Sequence, residues 1–135
     1  MANEAVIIEY PNSVVRRTVA EATTISKGTL CVLSDPNTAA ASSATSSASA
    51  FAGIIMSDKL GGDGSTTASF AINGGVFDLT NAAFGTPAAG ALVVLSGANL
   101  IRAAVEADTI TGAIIGKLEE TAATSEVVRV RLGAN

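Results

Sequence analysis

Histidine and tryptophan are absent from this 135-residue chain, and cysteine occurs once. Without histidine there is no imidazole general base, no histidine-dependent nucleophile and no histidine-ligated zinc or iron site. A lone Cys31 can form no intrachain disulfide. Basic residues are also few: eight Lys and Arg stand against twelve Asp and Glu, for a formal net charge of −4. Such a chain lacks the cationic surface that displaces counterions from phosphates, so direct nucleic-acid binding is not expected. Long apolar runs are missing as well. The opening MANEAVIIEY has no basic leader and only residues 5–8 as an apolar run, so neither a signal peptide nor a membrane-spanning helix is expected.

Aromatic residues make up 4% of the chain although hydrophobic residues make up 48%, and much of that share is alanine. Small side chains bury little surface, at about 25 cal/mol per Å² of apolar area, so oligomerisation is expected to contribute to stability. A mass of 13.3 kDa fits one domain, exposing roughly 6,400 Å² by size scaling.

What is present is a repeat. Residues 28–37, GTLCVLSDPN, and 90–99, GALVVLSGAN, match at Gly28/Gly90, Leu30/Leu92, Val32/Val94, Leu33/Leu95, Ser34/Ser96 and Asn37/Asn99, always 62 apart. A second block aligns Gly53 and Ile55 with Gly112 and Ile114 at an offset of 59. The chain therefore reads as two equivalent strand-and-turn units packed about a local pseudo-two-fold axis. Cys31 occupies the place of Val93, which reads as a small buried hydrophobe rather than a reactive thiol. If both copies are buried alike, alanine at Leu33 or Leu95 should cost about 2 to 4 kcal/mol in either case.

Short β-branched and leucine-rich runs end in turn signals, Asp35-Pro36-Asn37 in one copy and Gly97-Ala98-Asn99 in the other. Asn73-Gly74 reads as a type I′ turn joining residues 69–72 to 75–79 in a hairpin. In the closing run 126–132, Val128, Val130 and Leu132 share one face, with Val127, Arg129 and Arg131 on the other. Helical evidence is confined to single turns at 86–89 and 103–108. The expected fold is all-β: a compact single-domain barrel or two small packed sheets, internally duplicated, with minimal helix and an extended N-terminal arm. The single domain spans 1–135, with the arm at 1–13, the first repeat half at 14–80 and the second at 81–135. The low-complexity run 39–50 reads as a crossing between strands, and LGGDGSTT at 60–67 as a flexible loop. For the apolar stretch at 5–8 two readings stay open: an extra strand of the chain's own sheet, or an arm that pairs with a neighbour.

No chemical constellation emerges. Glu119 and Glu120 are adjacent and on a strand would face opposite sides. GGDGST at 61–66 lacks the lysine and following helix of a phosphate-binding loop. Asp35, Asp58, Asp63 and Asp78 do not have calcium-loop spacing. Lys27, Lys59 and Lys117 stand singly, and Arg16-Arg17 and Arg129/Arg131 are the only close basic pairs, the latter read as a solvated or ion-paired strand face. No catalytic residue, cofactor or metal site is expected; a pocket around Lys59, Asp58 and Asp78 would reopen the question.

Taken in order, MANEAVIIEY, KGTLCVLSDPNTA with FAGI, GGVFDL, GALVVLSGANLIR with TGAIIG, and VVRVRL resemble the small capsid cement, or head decoration, proteins of tailed bacteriophages. The resemblance implies a non-enzymatic virion protein, a homotrimer made in the host cytoplasm. It would bind the major capsid protein on the outer surface of an icosahedral head and cement the shell. It also implies a capsid-binding arm at Ala2, Asn3, Glu4, Ala5, Val6, Ile7, Ile8, Glu9 and Tyr10. No nucleic acid, membrane or small-molecule substrate enters that role. The alternatives are a self-assembling subunit of a tail tube, fibre or surface layer, and a small β-barrel ligand-binding module or enzyme.

Overall fold

The computed structural model describes residues 3–82, 85–105 and 113–133. They form eleven strands and, among the described residues, no helix. In chain order the strands are β1 (Val6–Glu9), β2 (Ser13–Thr18), β3 (Leu30–Ser34), β4 (Thr38–Ala41), β5 (Phe51–Ile55) and β6 (Thr67–Asn73). They continue with β7 (Val76–Asn81), β8 (Leu92–Gly97), β9 (Leu100–Ala103), β10 (Gly116–Leu118) and β11 (Val127–Leu132). Residues 86–89, Thr86-Pro87-Ala88-Ala89, form no helical turn. Of the other candidate turn, Ala103 ends β9 and residues 106–108 lie outside the described residues.

The strands make two packed sheets. β2-β4-β3-β5-β6 closes into a barrel, and the other sheet runs β1-β7-β11-β10-β8-β9. A parallel β7–β9 pairing closes that second set too, leaving β1 outside it. The two sets repeat one plan. Thr18 pairs with Thr38 across the parallel β2–β4 join, and Thr80 with Leu100, each 62 residues on, across β7–β9. Leu33 opposes Ala39 as Leu95 opposes Ile101. Val15 opposes Phe70 as Phe77 opposes Val130.

Strand register corrects the second block of the sequence alignment. Gly53 pairs with Cys31, and Gly116 pairs with Val93, so Gly53 answers to Gly116 at an offset of 116 − 53 = 63. Gly112 lies outside the described residues. Both glycines exist for the same reason: a Cβ on Gly53 would lie 2.7 Å from the Ala71 carbonyl oxygen, and one on Gly116 would lie 2.1 Å from that of Arg131. Ala71 and Arg131 are themselves counterparts. The likeness of GIIM at 53–56 to GAII at 112–115 outweighed this steric demand in the sequence.

The Asn73-Gly74 turn does not make a hairpin. β6 pairs with β2 and β5, whereas β7 pairs with β1, β11 and β9. Every edge of β6 is occupied, so the chain crosses from one barrel to the other, helped by positive φ at both Gly74 (70°) and Gly75 (72°). β7 thus belongs by hydrogen bonding to the second barrel.

The first barrel is filled by Val19, Ile25, Cys31, Ala52, Ile55 and Phe70. Leu30, Ile54 and Ala71 point out of it into a second cluster with Phe77, Leu79, Val93, Leu95 and Val130. The contact between barrels is unreciprocated, which overturns the pseudo-two-fold expectation. The counterparts of Leu30, Ile54 and Ala71 are Leu92, Lys117 and Arg131, two of them charged and all only half-buried. The alanine- and serine-rich crossing fills the seam. Ala48 N–H donates to the Leu95 carbonyl at 3.0 Å, and Ser42 and Ser46 are buried. Total accessible surface is 6371 Å², in line with the size-scaling expectation.

Candidate partner-binding edge

The apolar stretch of the N-terminal segment is a strand of the chain's own sheet, which replaces the extended arm expected from sequence. Val6 opposes Asp78 and Ile7 opposes Phe77, with a bulge before Glu9. Two anchors hold it. Ala5, 8% exposed, donates its N–H to the Gly28 carbonyl at 2.7 Å. Asn12 N–H donates to the Asn73 carbonyl at 3.0 Å, beside a close approach of Pro11 to Gly75. The physical reason is the exposed edge of β7, whose N–H and C=O groups find partners in β1.

Alternation then splits the segment in two. Ala5 and Ile7 pack inward on the core. Val6, Ile8 and Tyr10 face out, 58%, 40% and 80% exposed. Glu9 sits beside Arg131, with Oε2 3.5 Å from Nη2, and Glu119 Oε1 lies 2.9 Å from the same nitrogen. The Glu119 carboxylate, more than that of Glu9, holds the Arg131 guanidinium in its charged form. A cleft of about 450 Å³ with a mixed polar and apolar lining runs between β1 and the first barrel, bordered by Val6, Ile8 and Tyr10 as well as by Ile7, Lys27 and Ile54. Of the nine residues in the expected binding stretch, Ala2 lies outside the described residues; Asn3 is exposed and Glu4 half-buried. Sequence reasoning took the stretch whole. A period-two reading of residues 5–10 separates Val6, Ile8 and Tyr10 from Ala5 and Ile7.

Of the candidate polar residues, Asp58 and Lys59 line one small polar cleft of about 160 Å³ together with Asp63 and Arg16, and Asp78 stands apart from it. Asp78 is ion-paired with Arg129 at 3.7 Å, while Asp58 Oδ1 accepts the Lys27 N–H at 2.7 Å. Lys59 is 3% exposed and donates to the carbonyls of Glu21 and Leu60 and to Asp63 Oδ1. Its ammonium is a clasp for the glycine-rich loop, which Gly61 N–H and Gly64 N–H tie further to Thr24 Oγ1 and Glu21 Oε1. Asp63 is held below the usual carboxylate range, chiefly by the Ser65 N–H and then by Lys59. Glu120 Oε1 accepts the Arg129 N–H, so each member of the Glu119-Glu120 doublet is tied to β11. Burial pushes the Cys31 thiol up to about 12, as a core position requires. No three acidic or cysteine side chains come together at metal-binding distance among the described residues.

Comparison with known protein families and with curated proteins finds no match for the chain.

Proposed function

We propose that the protein is a structural subunit that binds the outside of an icosahedral phage head and cements the shell, with the major capsid protein as its partner. The observation that carries this reading is the outer row of β1. Val6 and Ile8 are exposed on a strand, and Tyr10 just beyond its end, in a segment fixed on both sides, so their apolar surface is presented without the ordering cost of a free peptide. Solvent-facing rows of this kind mark interaction surfaces. The sequence resemblance to head decoration proteins supplies the kind of partner.

A three-residue row is a small anchor, and a homotrimer would multiply it through effective concentration. In that role the double barrel is a rigid spacer. The test is co-sedimentation with expanded heads. Serine at Val6, Ile8 and Tyr10 together should abolish binding and leave the melting transition within a few degrees of wild type. Undiminished binding would overturn the reading. Substitution is the better probe than deletion of residues 1–10, because deletion also removes Ala5 and Ile7 from the core.

A further inference from the structure

β2 and β7 are counterparts 62 residues apart, and they differ in one respect. β7 carries β1 along its outer edge at Val76, Phe77 and Asp78. The same positions on β2 are Val14, Val15 and Arg16, and among the described residues β2 pairs only with β6 along its length and with β4 at Thr18. The difference is visible in burial: Val76 is 3% exposed and Val14 is 49% exposed. Thr18 N–H turns away from β6 to the Asn37 carbonyl. Alternation along an antiparallel ladder therefore aims the N–H groups of Val14 and Arg16 away from β6 too. Asn37 Nδ2 donates to the Arg16 carbonyl at 3.3 Å, closing the far end of the edge.

The charge also changes. Asp78 is ion-paired with Arg129, but Arg16 bonds only the hydroxyls of Ser69 and Thr67, and no ion pair among the described residues neutralises it.

We propose that the outer edge of β2, at Val14 and Arg16, is a strand-addition site for an extended segment of another protein, β-branched and apolar at its centre and flanked by carboxylates. The chain's own β1 shows what such an edge accepts: an antiparallel VIIE strand preceded by Glu4. In the same register the incoming residue equivalent to Val6 faces Arg16, and a carboxylate two residues earlier is its diagonal neighbour. Main-chain bonds supply affinity and the Arg16 side chain selects charge. The proposal stands apart from the head-binding role of β1, which stays on β7.

The probe is a synthetic peptide of residues 2–10, titrated calorimetrically into the full chain at low salt. One peptide should bind per chain, with new amide exchange protection at Val14 and Arg16. Val14→Pro removes a donor that β6 does not use and should abolish saturable binding. Arg16→Glu, which keeps the strand intact if proline does not, should weaken binding at least about threefold. A peptide with lysine at both glutamate positions should bind more weakly to the wild type. Absence of saturable binding overturns the proposal, as does binding that both variants retain, which would place the peptide in the cleft or on β7. Self-association of the full chain that Val14→Pro abolishes would also overturn it, by making a second copy the occupant.

Discussion

Asn99 Oδ1 accepts the backbone N–H of Leu30 at 2.9 Å, although Asn99 closes a turn of the second barrel and Leu30 opens a strand of the first. Asn37, its counterpart in the repeat, stays within the first barrel and accepts from Arg17 Nη1 at 2.7 Å. Both asparagines sit in the left-handed region, at φ 56° and 47°. The shared conformation explains why the repeat keeps asparagine, since this residue tolerates positive φ better than most. Burial then separates them, because Asn99 is fully buried while Asn37 is exposed.

Alanine at Asn99 leaves the Leu30 N–H without its acceptor in a buried seam. We expect a loss of about 2 to 3 kcal/mol there, from the unsatisfied donor and the strained φ together. Asn37→Ala should lose about 1 kcal/mol, mostly from φ. Urea denaturation of the two variants provides the measurement, and equal losses would contradict the seam.

The same asymmetry applies to Leu33 and Leu95. They hold matching registers, but Leu95 is 0% exposed and Leu33 only half-buried. Leu95→Ala should cost about 3 to 4 kcal/mol and Leu33→Ala about 1. The equal costs expected from sequence assumed that equivalent strands have equivalent surroundings.

That assumption marks where the sequence stopped being legible. Strand content and duplication could be read because side-chain periodicity and positive-φ residues are local: Gly28 and Gly90 share φ 89°, and Val128, Val130 and Leu132 are buried as alternation required. Contacts between the barrels are not local. Nothing in the SSATSSASA tract announces that Ala48 bonds Leu95; its small residues suit a seam as well as they suit disorder. Asn73-Gly74 signalled a reversal truthfully, but whether the two flanking strands pair depends on edges that β2 and β5 had already filled. For the candidate edge, the apolar stretch was visible, and its division into inward and outward rows needed only the strand assignment.

The Lys59 clasp should respond to acid. Asp63 has its carboxyl lowered from 3.8 by the Ser65 N–H and by Lys59. A lowered folded value means that the contribution is present above the ordinary carboxylate range and disappears as pH falls through the lowered value. Amide exchange at Ser65, whose N–H Asp63 accepts, should therefore speed up, relative to strand amides, only below about pH 3.8. Asp63→Asn should show the faster relative exchange already at neutral pH. A wild-type loop equally protected at pH 2 and pH 6 would rule out the clasp.

Gly28 and Gly90 offer a paired test of how the N-terminal strand is held. Each has φ 89°, so alanine at either position carries a backbone cost of about 1 kcal/mol or somewhat more. Around Gly90 a Cβ meets nothing within 4 Å, whereas at Gly28 it would lie 2.4 Å from the Ala5 carbonyl oxygen. Gly90→Ala should thus show the backbone cost alone. Gly28→Ala must also push Ala5 away, breaking its bond to the Gly28 carbonyl and loosening β1 from β7. Limited proteolysis within residues 4–10 should accelerate in Gly28→Ala and not in Gly90→Ala. Head binding should fall in the first variant as well, because the outer row of β1 presents a defined surface only while Ala5 and Ile7 stay packed beneath it.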